Sequence, residues 1–198
     1  MKTIIVVRHP EKDGDKITAL GAMQAFATAL ALGAMFPKIT QILWSGANRA
    51  WQAAMVTLAA LGGDGRWLKE SRGFHFEPTF TNVYGKDAPA AFKAETAAIK
   101  ERLGKSALTV ADALEHSEYA RQGRVVMTDT LFKLASTMKD DDVVLAVSHS
   151  PWLELAALDP ATMPYGIGEA EAVAYHIEDS KILTIERVLS SLAGKANC

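Results

Sequence analysis

Hydrophobic residues along this chain fall into short blocks separated by polar turns, and two of the blocks are continuous. Ile4-Ile5-Val6-Val7 and Val143-Val144-Leu145-Ala146-Val147 are uninterrupted apolar runs rich in β-branched residues, the pattern of central strands covered on both faces. The first ends at Arg8-His9-Pro10, where proline stops the ladder, and the second at Ser148-His149-Ser150-Pro151. A polar loop through Asp13-Gly14-Asp15 then leads to Thr18, an N-cap residue for an Ala-rich helix running to about Gly33. The longest apolar stretch, Ala25 to Phe36, is broken by Thr28 and is shorter than the ~18 residues that suggest a membrane span. It reads as a core helix.

Ile39 to Trp44 predicts a second strand, and Arg49 to Leu61 a helix that stops at Gly62-Gly63. Gly73-Phe74-His75-Phe76-Glu77-Pro78 alternates apolar and polar residues and stops at proline, which predicts a third strand or strand end with Glu77 at its carboxyl end. The pattern is less regular between 79 and 127, where helices are expected over Ala88 to Leu103 and from about Ser117 into Ser136. Trp152 to Leu158 predicts a short helix. Ala172 to Ile177 and Lys181 to Val188 predict two strands joined through Glu178-Asp179-Ser180 as an edge hairpin, and the tail after Leu192 is expected to fray.

Alternating strands and helices define an α/β class: a three-layer, open, mostly parallel sheet with helices on both faces. We expect a single domain over residues 1–198, with about 79–127 inserted as a small helical cap. Ligands of such sheets bind beyond the carboxyl ends of the strands. Arg8-His9, Arg49, Glu77 and His149 all fall there.

Composition narrows the field further. The 198 residues are about half apolar, enough for a sizeable core, and a formal charge of −2 gives no general attraction for nucleic acid or an anionic membrane. Neither is expected as a partner. The only cysteine is Cys198, which excludes an intramolecular disulfide and fits a reducing, cytoplasmic setting. The amino terminus meets Arg8 too soon for a signal peptide. The sequence contains no HExxH, paired CxxC or EF-hand pattern, and no GxGxxG or GxxxxGK[ST] follows the first strand. No metal, nucleotide or other cofactor is expected.

The strand-end residues suit phosphoryl transfer, which needs fixed cationic donors around the phosphoryl oxygens and an in-line nucleophile. Arg8 and Arg49 offer guanidinium forks matched to phosphate. His9 can attack through a neutral ring nitrogen if its other nitrogen is hydrogen-bonded, giving a phosphohistidine. His149 would add a donor to the phosphoryl oxygens, and Glu77 would protonate the leaving oxygen and then help activate water.

At these positions the chain resembles the histidine phosphatase superfamily, of phosphoglycerate mutase-like fold. Val7-Arg8-His9-Pro10-Glu11 resembles its Arg-His-Gly signature, and Thr18-Ala19-Leu20-Gly21 with Gln24-Ala25 resembles the Leu-Thr-x-x-Gly-x-x-Gln-Ala that follows. Ser45-Gly46-Ala47-Asn48-Arg49-Ala50-Trp51-Gln52-Ala53-Ala54 is similar to Ser-Ser-Pro-x-x-Arg-Ala-x-Gln-Thr-Ala, and Val147-Ser148-His149-Ser150-Pro151 to the late Val-x-His block. The resemblance implies a phosphoric monoester hydrolase working through phosphohistidine at His9. Glu77-Pro78-Thr79-Phe80 resembles the Glu-Pro segment that carries the proton donor in some members. Leu68-Lys69-Glu70 resembles a Leu-x-Glu form in others, so Glu70 competes for that role, as does Asp87. Pro10 replaces the common glycine, and Asp15 stands where many members have asparagine, placing an acid close to an anionic substrate.

The substrate expected is a phosphorylated small molecule or protein, and the His149-Ser150-Pro151 block also resembles phosphohistidine phosphatases. A phosphomutase is the enzymatic alternative, disfavoured by the modest length; a phosphate-binding module without turnover is the non-enzymatic one, favoured by Pro10 and Asp15. His75, His116 and His176 are expected in structural or surface roles, Trp51 and Trp152 in the core, and Lys12 has no assignment.

Overall fold

The computed structural model describes residues 1–75, 81–82, 85–149, 152–156 and 167–188. A six-stranded sheet organises the chain. Its strands are β1 (Lys2–Arg8), β4 (Ile39–Trp44), β5 (Leu68–Glu70), β6 (Val143–Ser148), β7 (Ala172–Glu178) and β8 (Lys181–Val188), in spatial order β5-β4-β6-β1-β7-β8. The first four are parallel, and β7 and β8 continue the sheet antiparallel. Two-residue strands β2 (Lys12–Asp13) and β3 (Lys16–Ile17) form a separate small hairpin. The mixed, mostly parallel sheet with helices on both faces is the α/β architecture that the sequence predicts.

One face is covered by helices α1 (Ala19–Met35) and α2 (Asn48–Ala60), packed on Ile5, Val7, Leu145 and Val147. The alternate residues Ile4, Val6, Val144 and Ala146 face the other way, onto α5 (Glu118–Thr137) through Met127, Leu131 and Ala135. That division explains the unbroken apolar runs of β1 and β6, since both faces of each strand are buried. A third cluster joins α3 (Ala88–Leu103), α4 (Val110–His116) and α6 (Trp152–Leu155) through Ala88, Phe92, Val110 and Leu155. Among the described residues no helix is long and apolar enough to cross a membrane.

The structure corrects the third strand. The parallel partner of β4 is Leu68–Glu70, whereas Arg72–Phe74 makes a 3-10 turn. The described part of the expected 73–78 strand is a turn, which buried Phe74 anchors: its carbonyl accepts from Ser148 Oγ at 2.6 Å, and residues 76–78 lie outside the described residues. The hairpin between β7 and β8 does form as expected. Asp179 and Ser180 both have positive φ (47° and 58°), as a two-residue type I′ connection requires.

The loop after β1 is tied down by three residues of the second resemblance block. Thr18 caps α1 by accepting from Gly21 N and donates its hydroxyl to Glu11 Oε2 at 3.0 Å, and Gln24 Oε1 accepts from Glu11 N at 2.9 Å. Gly21 lets the loop lie against the helix, since a Cβ there would stand 2.1 Å from the Glu11 carbonyl oxygen. Glycine to alanine inside a helix ordinarily stabilises by about 1 kcal/mol. Here the clash reverses the sign: Gly21→Ala is expected to lower stability by about 2 kcal/mol in urea unfolding, the range of overpacked cores.

Candidate active site

Register across the sheet aligns Arg8 with Ser148, Trp44 with Val147, and Trp44 with Glu70. The residues that follow each strand therefore emerge along one edge, at its carboxyl side, and include His9, Ser45 and His149. His9 N extends the ladder by donating to the Ser148 carbonyl at 2.9 Å. The rings of His9 and His149 lie with centroids 5.2 Å apart, and both residues are buried.

His9 Nδ1 lies 2.9 Å from the Pro10 carbonyl, which can only accept, so this nitrogen carries the proton. Nε2 is left with its lone pair. Burial, opposed by the Pro10 bond and reinforced by the positive charges of Arg49, Arg8 and Lys12, lowers the His9 pKa to about 4. The imidazole is therefore neutral at physiological pH. The carbonyl that sets the tautomer belongs to the backbone of residue 10, so it does not depend on the proline side chain.

Arg49 begins α2 and reaches back to the cluster. Its Nη2 donates to His149 Nδ1 at 3.4 Å, so His149 Nε2–H donates to Ser45 Oγ at 2.8 Å. Burial first, then the Arg49 charge, lowers the His149 pKa to about 2. Arg49 Nη1 donates to Asp15 Oδ1 at 2.7 Å. The acid at this position is consequently not turned away; it pairs with the guanidinium. Arg8 donates from Nη1 to the Ile167 carbonyl at 2.7 Å, and the Ile167 amide is held by buried Glu154. Among the described residues, the Nε atoms of Arg8 and Arg49 are both buried without a hydrogen-bond partner. Two cations beside a neutral imidazole can bind an oxyanion and present it to a nitrogen nucleophile.

Glu77 lies outside the described residues. Of its competitors, Glu70 ends β5, and a Cβ on Gly46 (φ 89°) would lie 3.4 Å from its Oε1. That oxygen also accepts from Arg72 Nε at 2.9 Å. Asp87 precedes α3 as its N-cap residue without capping it through its side chain. His75, expected in a structural role, joins the cluster instead: its ring centroid is 5.5 Å from that of His149, and its Nδ1 is 3.8 Å from the same Gly46 position. The 3-10 turn pinned by Ser148 carries it there, a tertiary relation with no local sequence signal. His176 pairs with Thr3 Oγ1 at 3.1 Å, and His116 ends α4 near Glu115. Trp51 is on the outer, exposed side of α2 and not in the core. Among the described residues, no group of three or more His, Cys, Asp or Glu is placed to hold a metal ion.

The chain has a phosphoglycerate mutase-like fold, which solved structures share over nearly its whole length. Phosphoserine phosphatase from Entamoeba histolytica, in complex with 3-phosphoglyceric acid, matches with TM-score 0.61 at 16% identity, over 97% of this chain and 99% of that one. Phosphoglycerate mutase from Bacillus anthracis matches with TM-score 0.60 at 17% identity, over 94% and 92% of the two chains. A mycobacterial glucosyl-3-phosphoglycerate phosphatase matches with TM-score 0.53 at 18% identity, over 97% and 99%. At these identities the likeness establishes the fold. No protein-family model matches the sequence, and no curated protein is significantly similar to it.

Proposed function

We propose that the chain is a metal-independent histidine phosphatase that hydrolyses phosphate monoesters through a phosphohistidine at His9. The observation that carries this reading is the fixed tautomer of His9, buried and neutral, with Nε2 available and two arginines beside it. In the first step Nε2 attacks phosphorus, the N–P bond forms, and the P–O bond to the leaving group breaks in line. Arg8 and Arg49 hold the phosphoryl oxygens. His149 joins them once the bound anion offsets the cations that depress its basicity, because it can then carry a second proton at Nδ1. Glu77 is the proposed acid that protonates the leaving oxygen; as its carboxylate it next takes a proton from water, whose oxygen displaces His9 from phosphorus.

The substrate class proposed is a phosphorylated small molecule, of the kind bound by the Entamoeba phosphatase, which is seen in complexes with phosphoserine and 3-phosphoglyceric acid. The chain is proposed to act as one domain over 1–198, with α3 and α4 forming the cap within 79–127. Length does not separate hydrolase from mutase, because the Bacillus mutase has nearly the same extent. The test is hydrolysis of an aryl phosphate in excess chelator, with alkaline denaturing quench and mass spectrometry of the peptide containing His9. Turnover with a phosphorylated His9 peptide is expected. Turnover that the chelator abolishes, or phosphate found on another residue, would overturn the scheme.

Asp15 gives a second check on the phosphate site. Its carboxylate engages Arg49 where the anion must bind, so Asp15→Asn is expected to tighten inhibition by inorganic phosphate roughly two- to fivefold, the scale of a partly exposed ion pair. Weaker inhibition would mean that Asp15 positions Arg49 for the anion instead of competing with it.

A further inference from the structure

Helix α1 is apolar on the wrong side as well as the right one. Its seventeen residues include no charged side chain, and the two most polar, Gln24 and Thr28, are buried against the loop and sheet. Leu20, Met23, Phe26 and Leu30 form a stripe along its outer face at 50, 60, 47 and 50% exposure. On α2, which packs beside it over the same face of the sheet, Trp51 and Met55 are 41 and 40% exposed. Isolated apolar residues at a surface need no explanation, but six large ones on two adjacent helices over one face of the sheet do.

We propose that this α1–α2 face is the interface of a homodimer. Three observations favour a second copy as the occupant. The stripe carries no charge, so it offers a partner nothing to pair with except another uncharged apolar surface, and its own copy is one. Phe26 lies near the middle of the stripe, with Met23 three residues before it and Leu30 four residues after it. A two-fold axis near Phe26 therefore sets Met23 of each copy against Leu30 of the other, with Ala27 making room at the crossing, as an isologous contact requires. The six side chains expose on the order of 600 Å² per copy, so a dimer buries roughly twice that, which reaches the ~1,200–2,000 Å² of specific interfaces. A lipid surface fits less well, because helices that lie on membranes present a charged face opposite the apolar one, whereas the inner face of α1 is packed in the core.

The test is sedimentation velocity of the full chain across a hundredfold dilution series in the micromolar range, with Met23→Lys/Phe26→Lys beside it. The wild type is expected at twice the 21.3 kDa chain mass. The charged variant is expected as a monomer with an unchanged circular dichroism spectrum, its dimer weakened by about a hundredfold or more because two lysines per copy would be desolvated. Val125→Lys, at an exposed position on α5 across the sheet, is expected to remain dimeric. If the double variant does not fold, Met23→Lys alone, at the most exposed position, decides with an expected loss of about tenfold or more. A wild type that stays monomeric throughout overturns the proposal, and its co-flotation with phosphatidylcholine vesicles would assign the face to a membrane. A dimer unaffected by the lysines overturns it equally.

Discussion

His9→Ala is expected to lower kcat for an aryl phosphate by roughly 10⁴- to 10⁶-fold, the loss typical of removing a covalent nucleophile, while leaving inorganic phosphate bound within a fewfold of the wild-type affinity. The two halves of this expectation come from different atoms. Nucleophilicity resides in Nε2, freed by the Nδ1 bond to Pro10. Anion affinity resides in Arg8 and Arg49, whose anchors on the Ile167 carbonyl, Asp15 and His149 do not pass through the His9 side chain. A steady-state assay for turnover and competition by phosphate in a binding titration separate them. Turnover retained at more than about a hundredth of wild type would remove His9 from the covalent step, since no other group in the cluster offers the same geometry. Loss of phosphate affinity together with turnover would instead show that the imidazole holds the pocket open.

The parts of this site that sequence revealed are those fixed by strand ends. Continuous apolar runs locate β1 and β6 because both their faces are buried, and the residues where the runs stop are His9 and His149. Arg49 follows from the same logic one unit later, at the start of α2 after β4. What pattern could not show is whatever depends on tertiary packing. β5 is three residues long with largely exposed side chains, so burial imprints no period on it, and the alternation beginning at Gly73 starts in a 3-10 turn. His75 then travels with that segment into the cluster. The β2–β3 hairpin is too short to carry a period, yet it is what brings Asp15 to Arg49. Helix α4 did leave a signal, the Thr109 to Asp112 capping box that starts it. In α1 the near absence of polar residues removed the amphipathic contrast that normally tells the inner face from the outer.

Acid is expected to destabilise the fold well above the carboxylate range. In the unfolded chain both His9 and His149 take up protons near pH 6.5, whereas in the fold their pKa values are lowered to about 4 and about 2. Between these limits the unfolded state binds more protons than the native one, so unfolding free energy rises with pH across the window. Read downward, the stability is complete above pH 6.5 and is lost progressively as pH falls toward 4. His9 alone accounts for about 3 kcal/mol of this at 1.36 kcal/mol per unit, and His149 acts in the same direction. The Asp112 carboxyl, held to about 2 by Lys105 and the Thr109 cap, contributes only below the ordinary carboxylate value and so falls outside the window. Urea unfolding at pH 7.5, 6, 5 and 4.5 is the measurement, with His9→Gln/His149→Gln as the comparison. The wild type is expected to lose stability steeply between pH 6.5 and 4.5, and the double variant to be nearly flat there. Equal slopes would mean that the strand-end histidines are not the groups kept neutral by folding, and with that the neutral nucleophile at His9 would lose its physical basis.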